Sequence, residues 1–512
     1  MTASDQPATG LTLHIDAERW RSAVISRLDR GARLAGLYCS HDDPDAAATI
    51  IAVIAGDDWM DSMACNLGED SSGSVSYRSL TPDVAAAFWY ERALHDLSGV
   101  IPLGHPRLDR LLLPPAHSDE PPRPGQRRAR DAVDPTQMPA VDELGPVDLT
   151  GAGVFSLPYG PVRSGVTESI EFLIETPGED IPYLNIRPHY KHRGIAKRFE
   201  NLLPADAILV AERVEGIATV AHALAFAHAV ERATALRPTR EARLIRLVYA
   251  ELERLANHLD VVVRLCEAAG LAVANSRFAW HKELVMRLVS AMCGNRFGRS
   301  VVVPGGVRAR PEIGPHEVQQ ALHTIWRRIS SDRAELMETS TFLDRLRGTG
   351  FLDPGLAARH GALGPIGRAS AVSDDCRRAR PYDSYDEFRV TVVPREIAGD
   401  VLARLNIRWR EMDKSVDLIW DALADLASTG AEQISTELGG IPDGISLGWA
   451  EAAQGEVLYA LHMRGGRVAR CFARSPALHN LLLFRHAFGS DIFTDFAFIE
   501  ASFGLSYAGV AM

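Results

Sequence analysis

The 512-residue sequence predicts an α+β protein: a small N-terminal α+β domain, then a large, mainly helical domain with β trimmings. Three observations carry this. Short apolar runs of strand length alternate with amphipathic helical stretches up to about residue 115. Residues 116–145, which include "PPRPGQRRARDAVDP", are rich in Pro and charge and poor in large apolar side chains, as linkers are. Beyond them, long segments carry apolar residues at helical spacing. The predicted domains are therefore 1–115 and 146–512, joined by 116–145.

In chain order, "LTLHIDAERW" opens as a short strand and continues as an amphipathic helix. "TIIAVIAG" is an apolar run closed by Gly and Asp, hence a buried strand. "DVAAAFWYERALHDLSGV" reads as a helix with an aromatic face. The second domain starts with two or three strands around a turn at Pro177-Gly178. "PADAILVAERVEGIATVAHALAFAHAVERATAL" is apolar almost all round and predicts one buried helix. "TREARLIRLVYAELERLANHLDVVVRLCEAAGL" predicts a long helix capped by Thr239. Further helices are expected near 278–293, 315–346 and 396–428. A Gly- and strand-rich unit follows at "EVLYALHMRGGRVARCFARSP".

Composition narrows the function. A net charge of -11 argues against a nucleic-acid partner, which needs a basic surface. The cysteines at 39, 65, 266, 293, 376 and 471 are scattered, with no CxxC pair, as reduced cytoplasmic thiols are. The first twenty residues lack a basic start and an apolar run, so no signal peptide is expected. No stretch approaches the roughly 20 apolar residues of a membrane span, so membrane association is expected to run through a partner.

The stretch "ERVEGIATVAH", Glu212 to His222, has the outline of a metal-binding helix, with Glu215 and Ala218 where a pair of thiolates would stand. On a continuous helix, Glu215, Ala218 and His222 share one face. Glu215 and His222 are then two turns apart, about 10 Å, so they line one cavity without bonding each other. Two readings of Glu215 stand: a cavity-facing carboxyl suited to proton transfer, or a carboxylate salt-bridged to a neighbouring Arg. His258, beside Asn257 and Asp260, reads as a satisfied histidine rather than a ligand. His189, His192 and Arg193 in "PHYKHRGIAKR" suit either an anion or a structural network. Neither a P-loop nor a dinucleotide fingerprint is present.

A series of motifs follows one order along the chain: "YGPVRSGVTESIEF", "HRGIAKRFE", "AERVEGIATVAHALAFAHAVE", "RLIRLVYAELERLANHL", "VVVPGGVR", "RPYDSYDEF", "GDVLARLNIRWREMDKSVDLI" and "GEVLYALHMRGGRVARCFARSPALHNL". In these the large domain resembles the large subunit of membrane-associated [NiFe] hydrogenases of the formate-hydrogenlyase type. It equally resembles the D-type subunit of complex I, the respiratory NADH:quinone oxidoreductase. The first domain, through "FWYERALHDLSGVIPLGHPRLDRLLLPP", resembles the C-type subunit of complex I. The resemblance covers nearly the whole chain.

The resemblance implies a nickel site held by four thiolates in two CxxC pairs. Those positions fall on Glu215 and Ala218 and, by ungapped alignment, on Ser502 and Leu505. Soft ligands are missing at all four, so no nickel is expected in this chain. The quinone-contacting histidines of complex I fall on Thr167 and Arg163, and the partner tyrosine near Pro204. Glu168 matches an acidic position of the hydrogenase branch. Glu168 and Glu215 are therefore the candidate proton relay, and Arg163, Thr167, His192, Arg193, Glu212, Arg213 and His222 the candidate cavity lining.

The resemblance further implies a component of a hydrogenase-like or complex-I-like oxidoreductase complex, peripheral to the cytoplasmic face of the membrane. An iron–sulfur small subunit resembling the B-type subunit of complex I would carry the cluster, with integral membrane subunits beneath. Coupling of electron transfer to proton movement, binding of a quinone-type acceptor, and a non-catalytic scaffold are the functions it leaves open.

Overall fold

The computed structural model describes residues 12–41, 47–113, 153–163, 168–390, 398–430 and 432–512. The predicted linker 116–145 and Thr167 lie outside the described residues. Contacts divide the chain into two units. One is Met1–Gly194 with Arg359–Gly361 and Val510–Met512; the other is Ile195–Ala358 with Ala362–Gly509.

The first unit is built from strands β1 (Thr12–His14), β2 (Arg33–Ser40), β3 (Ala48–Ala55) and β4 (Met60–Leu67), in sheet order β1-β4-β3-β2. Only β1 runs parallel to its neighbour. Every residue of β3 is buried, as its unbroken apolar run requires. Helix α1 (Ala17–Leu28) packs on β3 and β4, where the Trp20 indole donates to the Met63 carbonyl at 2.8 Å. Helix α2 (Phe88–Ser98) packs on β2. From α2, the buried Glu91 accepts from the Tyr77 and Ser79 hydroxyls and the Leu80 N–H. A small parallel pair, β5 (Ser76–Arg78) and β6 (Ile101–Leu103), lies beside this loop in sequence. The strands expected around Pro177-Gly178 form the antiparallel sheet β7 (Phe155–Tyr159), β8 (Glu171–Thr176) and β9 (Tyr183–Arg187). By contacts they group with the N-terminal residues.

In the second unit, the single buried helix expected over 204–236 is two helices. After the short α3 (Ile195–Arg198), α4 spans Pro204–Ala211 and α5 spans Thr219–Ala233, with Glu212 to Ala218 non-helical between them. The α5 sequence TVAHALAFAHAVERA is alanine-rich, which favours helix and keeps its surface thin. That thinness is used. Antiparallel strands β12 (Gly444–Ala452), β13 (Gly455–Arg464) and β14 (Arg467–Arg474) form a sheet, and α5 lies on β12 and β13. A Cβ on Gly448 would stand 2.1 Å from the Ala225 carbonyl oxygen, so helix and strand backbones are in direct contact there. Ahead of this sheet in the chain, β10 (Val302–Val303) and β11 (Gly306–Val307) form a minimal hairpin.

Helix α6 (Arg240–Ala268) is the 29-residue axis of this unit, with the Thr239 hydroxyl accepting from the Ala242 N–H as its cap. It packs against α7 (Ala272–Cys293), the helix Val401–Ser428 and the helix Phe496–Phe503, and α7 packs on α8 (Pro315–Met337). The buried face of α6 carries charge as well as apolar side chains. Glu251, fully buried, accepts from Arg254 at 3.0 Å, Arg377 at 3.1 Å, and the Tyr385 and Ser415 hydroxyls at 2.5 Å each. Arg254 also reaches the carbonyls of Ala452 and Glu451, tying α6 to the sheet. His258 bonds Glu411 at 2.9 Å, and burial lowers its pKa to about 4 despite that neighbour. It is a satisfied core histidine, as expected.

Candidate functional site

The break between α4 and α5 builds the site. Because Glu215 is not on the helix, its carboxylate turns back to meet His222 on the first turn of α5: Oε1 lies 2.9 Å from His222 Nε2. This corrects the two-turn separation expected from a continuous helix. The other ring nitrogen, Nδ1, lies 2.9 Å from the Tyr459 hydroxyl on β13. Burial pushes the Tyr459 phenol well above its ordinary pKa, so it keeps its proton. The Ser475 hydroxyl, 3.2 Å from both Glu215 oxygens, completes the shell. Ser475 is held as the cap of the following helix, Pro476–Phe484. Glu215, His222 and Tyr459 are all buried. Together they form a carboxylate–imidazole–phenol chain able to hold and pass a proton, and among the described residues no arginine is seen bonded to the carboxylate.

The C-terminal side of this site also departs from expectation. Ser502 donates to the Ile499 carbonyl and accepts from Arg404 Nε at 2.9 Å, and Leu505 has no donor atom. The C-terminal residue that meets Glu215 is instead Gly509, where a Cβ would fall 2.1 Å from Glu215 Oε2 and 2.6 Å from Ser475 Oγ. The ungapped alignment thus stops short of the residue the fold delivers. We expect Gly509→Ala to turn the Glu215 carboxylate away from Ser475, at an overpacking cost of about 1–3 kcal/mol, read as a lower melting temperature.

A nickel centre does not fit this donor set. Glu215 offers hard oxygens already engaged by His222 and Ser475, Ala218 offers a methyl group, and Gly509 offers nothing. Among the described residues no cluster of three or more His, Cys, Asp or Glu is placed to hold a metal ion.

The other candidate residues sit elsewhere. Glu212 pairs with Arg213 and accepts from the Ser300 N–H at 2.7 Å, so these two brace the loop at 300. In the first unit, Arg163 is buried over the Tyr159 and Phe172 rings, 4.6 and 5.1 Å from their centroids. His192 Nδ1 bonds the Ala511 carbonyl at 2.6 Å and the Arg193 N–H donates to Met512, so this pair holds the chain's last residues. Glu168, half-buried, leads into β8.

The sequence did not point to Tyr459, Ser475 or Gly509. Ser475-Pro476 is a legible helix start, but nothing local says what its hydroxyl faces. It also did not point to Glu253 on α6, whose carboxylate accepts the Val220 and Ala221 N–H groups at 2.7 and 3.0 Å and so caps α5. Burial raises the Glu253 pKa to about 8, with the Glu215 charge adding to the rise and the two N–H groups opposing it.

With this geometry in hand, known proteins place the chain. Residues 273–510 match the family model described as the 49 kDa subunit of respiratory-chain NADH dehydrogenase, and residues 20–127 that of the 30 kDa subunit. Formate hydrogenlyase subunit 5 of Escherichia coli is 30% identical over 76% of this chain and 69% of its own length. The chain belongs to the formate hydrogenlyase subunit 5 family. Another relative in this family, hydrogenase-4 component G of Escherichia coli, is 27% identical over 85% of this chain and 76% of its own. The chain thus fuses a 30 kDa-like part to a 49 kDa-like part. Among solved structures, a chain of the membrane-bound sulfane sulfur reductase, an archaeal respiratory membrane complex, shares the fold. Its TM-score is 0.66 at 21% identity, over 72% of this chain and all of that one. No helix among the described residues is long and apolar enough to cross a membrane.

Proposed function

We propose that this chain is the membrane-peripheral large subunit of a hydrogenase-like or complex-I-like oxidoreductase complex. Its own contribution is proton transfer through Glu215, His222 and Tyr459, coupled to electron transfer in the complex, without a nickel–iron centre. The observation that carries this is the buried Glu215–His222–Tyr459 hydrogen-bond chain, built where the family fold brings α5, β13 and the C-terminal segment together. Its partners are an iron–sulfur small subunit, which supplies the redox cluster, and integral membrane subunits at the cytoplasmic face of the membrane. Membership in the formate hydrogenlyase subunit 5 family supports this assembly. The donor set lacks the soft thiolates of a nickel–iron centre, and a carboxylate bonded to an imidazole suits acid–base proton exchange.

The test is elemental analysis of the chain purified with its native partners. Iron without nickel is the expected result. Nickel near one atom per chain would overturn the reading, because the present donors would then have to ligate it.

A further inference from the structure

The site has an outer approach. In the second unit a cavity of about 80 Å³ lies under the start of α5, large enough for water. Gly216, Ile217 and Val220 line one side, and the lining also includes Arg296 and Phe297, both on the outside of the unit, with Phe297 43% exposed. Glu253 faces it. The charged groups around it are otherwise matched: Asp260 pairs with Lys282 at 2.6 Å and with Arg264, and Arg296 pairs with Glu283. Glu253 is held by backbone N–H groups instead of by a cation, with Arg254 as the cation next to it in the chain. Glu215 adjoins the wall residue Gly216, and its charge acts directly on Glu253.

We propose that Glu253 is the outer member of a two-carboxylate proton relay, taking protons from the water-accessible cavity under α5 and passing them to Glu215. This rests on the proton-transfer reading of Glu215 given above. Each step breaks one O–H bond as the next forms: a cavity water protonated from solvent gives its extra proton to a Glu253 oxygen, and Glu253 gives it on to Glu215. From Glu215 the proton passes to His222 Nε2 as the Glu215 O–H bond breaks, and the imidazolium holds it with its Nδ1 side bonded to the Tyr459 hydroxyl. The raised Glu253 pKa of about 8 fits a group loaded at neutral pH and able to release.

The test is a pH titration of the full chain by infrared spectroscopy, with turnover of the assembled complex measured alongside. The wild type is expected to show a protonated-carboxyl band at pH 7 that titrates near 8. Glu253→Gln, which retains an oxygen to accept from α5, is expected to remove that band and to lower turnover about tenfold or more. Glu215→Gln removes the neighbouring charge and is expected to move the midpoint to lower pH. An absent band at pH 7, or a midpoint unmoved by Glu215→Gln, overturns the relay even if Glu253→Gln fails to fold. Wild-type turnover in Glu253→Gln with turnover lost in Glu215→Gln overturns the outer member and leaves the inner site standing. Wild-type turnover in both variants removes both.

Discussion

Replacing Glu251 by alanine is expected to destabilise the chain by about 3–5 kcal/mol, the cost of breaking a buried ionic cluster from one side. The residue is fully buried between α6 and the segment that carries Arg377 and Tyr385. Its loss strips Arg254 and Arg377 of a shared carboxylate and leaves the Tyr385 and Ser415 hydroxyls without their acceptor. Arg377 keeps Asp375 at 2.7 Å, which is why the expected loss is that of one broken pair and not of the whole cluster. Thermal or denaturant unfolding of wild type and variant measures it, and a difference below about 1 kcal/mol, the scale of exposed pairs, would reject the assignment.

The same residue sets an acid limb. Burial alone would raise the Glu251 pKa, but the Arg254 and Arg377 guanidinium groups and the two hydroxyls hold it down at about 2. A carboxyl whose pKa is lower folded than unfolded stabilises fully above its unfolded value, about 4.3, and loses that contribution as pH falls toward 2. The variant should therefore show a flatter stability profile than wild type across that window.

The second large effect is catalytic. Glu215→Gln keeps the size of the side chain and its bonds to His222 and Ser475, yet its amide cannot take up a proton and give it to the imidazole. Turnover of the assembled complex is expected to fall a hundredfold or more, the usual scale for loss of a positioned acid–base group. Tyr459→Phe removes the far end of the same chain, with the ring still packed edge-on to His222 at 5.7 Å, and should show a loss of the same kind. Assembly with the partner subunits is the control, since both variants preserve volume. Full turnover in both, with assembly intact, would reduce this chain to a non-catalytic scaffold within its complex.

What was legible in the sequence was whatever local pattern controls. Helix α6 has its cap at Thr239 and its apolar spacing written in one continuous segment, and β3 announces itself by an unbroken apolar run. The family was legible too, because its motifs stand in one fixed order along the chain. The break ahead of α5 was hidden because its cause is not local. No proline marks it, and the carboxylate that caps the new helix comes from Glu253, more than thirty residues later. With the break unseen, Glu215 and His222 stood two turns apart on one helix, and their hydrogen bond could not be inferred. The C-terminal side failed for a related reason. A glycine carries no side chain to suggest a role, so only the fold could reveal that Gly509 is the residue facing Glu215.

That glycine also ties two distant positions of the sequence together. Any side chain introduced at 509 collides with the carboxylate at 215, whatever its chemistry, because the overlap begins at the first carbon. A side chain there requires Glu215 to swing aside or to be replaced by something shorter. The two positions are therefore coupled: the glutamate fits against the bare backbone opposite it, and a change at either one calls for an adjustment at the other.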